Sequence, residues 1–298
     1  MKVIITGISG FVGQNLSSYL SEKLFSVDAV SLRNSTWKGV LDGDAIIHLA
    51  GKAHDTKKTS DASEYFNINT DLTKDLFDAF LQSDIQDFIY FSSVKAVADE
   101  VSSILNEDVV GSPKTPYGKS KLQAEEYILS KNLPEGKRVF IIRPCMIHGP
   151  GNKGNLNLLY QLVAKGLPWP LGAFENQRSF SSIENLCFVI KELLQNKSIS
   201  SGIYNVADDE FLSTNELIEL LGESLGKRNK ILKIPTSLIK KIASVGDVLK
   251  LPLNSERLQK LTESYMVSNQ KIVAAIGKPL PIDAKAGLLK TFESFKQK

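Results

Sequence analysis

An apolar strand that runs straight into three glycines set three apart, and from there into helical periodicity, constrains this chain more than any other feature. The stretch is Lys2-Val3-Ile4-Ile5-Thr6-Gly7-Ile8-Ser9-Gly10-Phe11-Val12-Gly13, with the helical pattern continuing from Gln14 to Leu24. Glycine adopts backbone angles barred to other residues and lets the chain pass close to a ligand, while the amides of a helix's first turn point at an anion. The pyrophosphate of a dinucleotide suits such a cradle. Gly7, Ser9, Gly10, Phe11, Val12 and Gly13 are therefore expected to hold it. A glycine triplet alone is a weak signal, and its position between a strand and a helix is what makes it specific.

Further apolar runs at Val27–Leu32, Ala45–Leu49, Phe88–Phe91 and Val139–Ile142 alternate with helical patterns at Asn67–Gln82 and Tyr117–Ser130. Strands buried on both faces read as continuous apolar runs, and right-handed crossovers between them generate a doubly wound parallel sheet. The expected fold is thus α/β, a doubly wound parallel sheet of Rossmann type with ligands at its carboxyl edge. The glycine loop, Ala50-Gly51, Ser93 and Pro144–Met146 should share that edge.

The alternation ends after Gly149-Pro150-Gly151, where an amphipathic helix from about Leu156 to Lys165 leads into a turn rich in proline and glycine. A smaller, mostly helical C-terminal lobe is expected, because 298 residues sit where one core usually splits. Residues 1–150 form the dinucleotide-binding domain in this reading, with 180–207 returning to it. Residues 151–179 and 208–298 form the substrate lobe. Ser213-Thr-Asn-Glu reads as the cap of one lobe helix. The helix from Leu238 to Val248 is amphipathic, and its apolar residues are assigned to packing within the lobe rather than to a membrane.

Charge excludes several partners. The 36 basic residues nearly balance 33 acidic ones and no run of six like charges occurs, so neither a nucleic-acid stripe nor an anionic-membrane patch is indicated. Small molecules are the expected ligands. Cys145 and Cys187 lie in apolar settings without metal-type spacing, which reads as buried reduced thiols in a cytoplasmic protein with no metal site. The N-terminus lacks the apolar stretch of a signal peptide, and no run approaches a membrane span, so a soluble chain without membrane contact is expected.

The chemistry is carried by Tyr117-Gly118-Lys119-Ser120-Lys121. A tyrosine and a lysine four apart share one helix face, where the ammonium is expected to lower the phenol's pKa from about 10. A single such pair is ordinarily a solvated helix face. Here it follows Phe88-Ile-Tyr-Phe-Ser-Ser93, an apolar strand ending in two serines at the edge where a parallel sheet offers groups to a ligand. His48 lies inside a buried strand and reads as a satisfied core histidine, and His148 is given no catalytic role.

With these motifs the chain resembles the extended short-chain dehydrogenase/reductase family, the nucleotide-sugar epimerase/dehydratase group, over essentially its whole length. The likeness also rests on Asp44-Ala-Ile-Ile-His-Leu-Ala-Gly51, Asn69, Ile142-Arg-Pro-Cys-Met-Ile-His-Gly-Pro150, Arg178 before Ser-Phe, and Tyr204-Asn-Val-Ala207. Within the group it looks most like bacterial proteins related to UDP-N-acetylquinovosamine 4-reductase and to UDP-glucose 4-epimerase. Ser92-Ser-Val-Lys95, His48-Leu-Ala-Gly-Lys-Ala-His54 and Gly166-Leu-Pro-Trp-Pro-Leu-Gly172 followed by Arg178-Ser179 carry that narrower likeness.

The resemblance implies a catalytic trio of Ser93, Tyr117 and Lys121. Tyr117 would give or take a proton at a sugar oxygen that Ser93 holds, and Lys121 would steady the phenolate and hold the nicotinamide ribose. Leu49, Ala50, Gly51, Asn69 and Ser92 would line the cofactor, with Pro144 and Met146 flanking the nicotinamide. Met146 stands where many relatives carry asparagine. Asn155, Arg178 and Arg257 would hold the nucleotide diphosphate of a UDP-linked sugar.

Ser31 takes the position of the carboxylate that selects NAD, and Arg33 two residues on is placed to pair with a 2′-phosphate, so NADP(H) is favoured with NAD as the alternative. Dehydratases of the family carry an acid pair where this chain has Val94-Lys95, which argues against dehydration. The expected activity is reduction of a UDP-4-keto-6-deoxy-hexosamine at C4 for surface-polysaccharide synthesis. A 4-epimerase with tightly held NAD and a non-catalytic dinucleotide-binding protein are the alternatives, and a homodimer is compatible with either.

Overall fold

Residues 1–39, 41–52, 61–152, 156–250 and 253–297 are described by the computed structural model of the chain. A six-stranded parallel sheet forms its centre, from β1 (Lys2–Thr6), β2 (Ser26–Val30), β3 (Ala45–His48), β4 (Asp87–Phe91), β5 (Arg138–Pro144) and, after the shorter β6 (Met146–His148) and β7 (Phe180–Ser182), β8 (Gly202–Val206). The order across the sheet is β2-β1-β3-β4-β5-β8, and every pairing is parallel. The chain leaves β1 toward one edge and returns on its other side as β3. That reversal opens a crevice at the carboxyl ends of β1 and β3, the place where such sheets bind ligands.

The strands alternate between two buried faces, as a pleated sheet covered on both sides requires. Val3, Ile5, Ala45, Ile47, Ile89 and Phe91 enter one core with α1 (Phe11–Glu22) and α6 (Ile183–Gln195). Ile4, Ile46, Phe88 and Tyr90 enter the other with α3 (Leu72–Gln82) and α4 (Pro116–Leu129). The helical pattern read from Asn67 is not one regular helix. A short α2 (Ala62–Tyr65) runs into a π-turn over Phe66–Asp71 before α3 begins. The wider turn buries Asn69 and Thr70, and Thr70 donates to the Ser120 carbonyl at 2.8 Å.

A separate apolar cluster draws on α5 (Leu156–Ala164), α7 (Thr214–Leu225), α8 (Thr236–Leu249), α9 (Ser255–Thr262) and α11 (Ala284–Ser294). Ser213 caps α7 through a reciprocal capping box with Glu216, as its sequence suggests. The intervening α10 (Gln270–Ile276) packs instead with the sheet, where Ile272 and Ile276 join the core of β1 and α6. Cys145 and Cys187 are buried free thiols. Among the described residues no helix is long and apolar enough to cross a membrane.

Candidate active site

The crevice is closed at its floor by contact between two loops. Gly7 has φ +72°, and a Cβ there would lie 2.6 Å from the Ala50 amide nitrogen, so only glycine lets the loop after β1 pass the loop after β3. At Gly13 a Cβ would meet the Gly7 carbonyl at 2.6 Å. Gly10 caps α1 without any side-chain bond, which leaves the first-turn amides available to an anion. These features fit a dinucleotide pyrophosphate, which the same backbone would hold.

A chain of hydrogen bonds ties this floor to helix α4. His48 is buried, and burial pushes its pKa down to about 3, so the ring is neutral. Its Nδ1 lies 2.7 Å from Thr6 Oγ1 and its Nε2 lies 2.9 Å from Thr73 Oγ1. Thr73 donates its own hydroxyl to the Asn69 carbonyl at 2.8 Å, which assigns the imidazole proton to Nε2. Asn69 accepts from the Lys52 amide at 2.7 Å and donates to the Lys52 carbonyl and to Ser120 Oγ. Asn69 therefore braces the turn at Gly51 and Lys52 from behind.

Ser93 and Tyr117 meet across the crevice. Ser93 caps a short turn over Val94–Ala96, its Oγ accepting from the Lys95 amide at 3.2 Å, and its hydroxyl is close enough to the Tyr117 phenol to favour the phenolate. Lys121, one turn further along α4, is 6% exposed. Its Nζ donates to the Phe91 carbonyl at 2.8 Å and sits 4.9 Å from the centre of the Tyr90 ring. A Cβ on Gly51 would lie 3.3 Å from that ammonium, which places Lys121 against the loop expected to line the cofactor.

The titration of the pair differs from the expected one. Burial is the largest influence on Tyr117 and raises its pKa, while the nearby Ser93 hydroxyl opposes it. Lys121 is not among the influences on Tyr117: an apolar surround disfavours the phenolate, and the ammonium is directed at the Phe91 carbonyl. Burial also pulls Lys121 down to about 8, with the Glu125 carboxylate holding it up.

Ser92 is turned away from the crevice and donates to Glu125, whose carboxylate also receives Arg143 Nε at 3.0 and 3.1 Å and its Nη2. This buried network went unread in the sequence, although Glu125 follows Lys121 by one helical turn. A second unread residue is Tyr265. Its hydroxyl lies 2.7 Å from the Ala98 carbonyl and 3.1 Å from that of Val94, and the Lys95 ammonium stands 4.1 Å from its ring centre. Tyr265 thus clips the turn after Ser93 to the segment that pairs with Arg178. A separation of more than 160 residues hides such contacts from local pattern.

Of the remaining expected residues, Leu49 and Ala50 lie partly buried at the end of β3, Pro144 ends β5 and Met146 opens β6. Ser31 and Arg33 follow β2 and are exposed, and among the described residues no side chain pairs with the Arg33 guanidinium. Arg178 Nη1 donates to the Lys260 carbonyl at 2.7 Å, which sets it against α9, the helix that carries the exposed Arg257. Asn155 and His54 lie outside the described residues.

Comparison with known proteins places these features in context. Residues 3–207 match the model of the NAD dependent epimerase/dehydratase family. The chain is 27% identical to UDP-glucose 4-epimerase of Vibrio cholerae over 99% of its own length and 96% of that protein. It is also 27% identical to GDP-6-deoxy-D-mannose reductase of Pseudomonas aeruginosa, over 80% of this chain and 84% of the other. The solved structure of RMD from Pseudomonas aeruginosa complexed with NADPH superposes with a TM-score of 0.75 at 23% identity, covering 100% of this chain and 99% of that one.

Proposed function

We propose, from the premise that this chain belongs to the NAD dependent epimerase/dehydratase family, that it is an NADP(H)-linked reductase of a UDP-4-keto-6-deoxy-hexosamine. The observation that carries the reading is Ser93, at the cap of a turn whose next residues are Val94 and Lys95, set beside Tyr117 and Lys121 of α4. Tyr117 supplies one proton-transfer group, and the turn after Ser93 offers no adjacent carboxylates for removing water.

Ser93 donates a hydrogen bond to the C4 oxygen, and Tyr117 protonates it as negative charge develops there. The raised phenol pKa keeps the proton on Tyr117 until the alkoxide forms. When bound, the nicotinamide supplies the hydride to C4. Gly7, Gly10 and the first turn of α1 hold the pyrophosphate, and Lys121 holds the ribose beside Gly51. We assign the lobe of residues 151–179 and 208–298, apart from α10, to the nucleotide of the substrate, with Arg178 and Arg257 on its diphosphate. The product would feed surface-polysaccharide synthesis.

Supplied with such a 4-keto sugar and NADPH, the protein is expected to oxidise the cofactor stoichiometrically. The rival is a UDP-sugar 4-epimerase, favoured by the full-length similarity to the Vibrio cholerae protein. Interconversion of UDP-glucose or UDP-N-acetylglucosamine with its galacto epimer, without net change in cofactor absorbance, would put that reading in place of ours.

Cofactor choice rests on Arg33. NADPH should bind more tightly than NADH, and Arg33→Ala should remove roughly 1.5–3 kcal/mol of that preference, the worth of a charge-assisted hydrogen bond. Titration of the parent protein with both cofactors is the check, and equal affinities would sink the assignment.

A further inference from the structure

Helix α8 buries one narrow face, Ile239, Ala243 and Gly246. Contrary to the packing within the lobe expected for its apolar residues, a second apolar stripe beside that face is left uncovered. Leu238, Ile242, Val245 and Leu249 recur at helical spacing and are between 45% and 62% exposed, with Val248 at 80%. Five of the exposed large apolar side chains in the molecule thus lie on one helix, whereas soluble surfaces ordinarily scatter them singly.

Along the chain that carries the stripe the charge is one-sided, and α9, packed against α8, adds Arg257 and Lys260 beside a single acid, Glu256. Lys227, Arg228, Lys230 and Lys233 lead into α8, Lys240 and Lys241 lie on it, and Lys250 ends it, all exposed. Asp247 is the one acid in the same stretch, and its carboxylate accepts from the Ser255 amide and hydroxyl at 2.9 and 2.6 Å. A second copy of the chain would bring a like-charged rim against this one. An anionic bilayer offers both what the stripe and what the rim require, a hydrocarbon boundary below and negative headgroups beside it.

We propose that α8 docks the protein on an anionic lipid surface, with Leu238, Ile242, Val245 and Leu249 entering the headgroup boundary and the surrounding lysines and arginine meeting the headgroups. The site belongs to the surface of the lobe, and the inference stands whichever sugar the protein acts on.

The test is co-sedimentation of the full chain with vesicles of phosphatidylcholine alone and of phosphatidylcholine containing a third phosphatidylglycerol. Binding is expected to the anionic vesicles and not to the neutral ones, and to weaken as salt rises. Ile242→Glu/Val245→Glu should abolish it, and Lys233→Gln/Lys241→Gln should weaken it about tenfold or more. Both pairs replace exposed side chains, and an unchanged melting temperature and NADPH affinity would show that the fold persists. Equal partition to the two vesicle types, or none to either, overturns the proposal. So does a lipid-free dimer that the glutamate pair dissociates, because a second copy would then cover the stripe.

Discussion

Tyr117→Phe is expected to lower turnover by about 10²–10⁴-fold, the range over which general acid–base groups contribute, with cofactor affinity nearly unchanged. The substitution removes one hydroxyl and almost no volume. The ring still packs edge-on to Tyr65, with centroids 6.2 Å apart, and Lys121 keeps its bond to the Phe91 carbonyl. What is lost is the proton poised beside Ser93. Steady-state rates together with a cofactor titration separate the two effects, and turnover above about a tenth of the parent rate would remove Tyr117 from the proton-transfer role.

The largest effect on stability is expected at Glu125. This carboxylate is buried and is the shared partner of Arg143 and Ser92, so Glu125→Ala leaves a buried guanidinium without its counter-charge. Breaking a buried ion pair from one side typically costs about 3–5 kcal/mol. Replacing both partners, as Glu125→Leu/Arg143→Met, should recover most of that loss, because the desolvation of both charges disappears with them. Urea unfolding measures both variants, and a loss below about 1 kcal/mol in Glu125→Ala would show the pair to be idle.

Glu125→Gln has a separate consequence for Lys121. The carboxylate favours the ammonium, so removing its charge lowers the lysine's pKa further below about 8. The alkaline limb of the activity profile should then move to lower pH.

Much of this site was legible because its signals are local. The glycine loop sits between a strand and a helix within 13 residues, and Tyr117 and Lys121 lie one turn apart on α4. His48 was readable as a core residue from the apolar run around it, and the structure places Thr6 and Thr73 on its two nitrogens. Ser92 and Ser93 illustrate the limit. Adjacent residues at a strand end point to opposite sides, and only the fold shows that Ser92 faces Glu125 while Ser93 faces Tyr117.

The sequence by itself determined the parallel sheet and the candidate residues at its carboxyl edge, since strand period, glycine placement and helix spacing are written within a few residues of one another. Tertiary structure alone decided what depends on burial and on distant pairing. It set Tyr117 above rather than below its ordinary pKa, joined Glu125 to Arg143, and brought Tyr265 onto the turn after Ser93. It also left the stripe of α8 uncovered, because an amphipathic pattern states that a helix has an apolar face and the packing of the lobe sets how much of that face is buried.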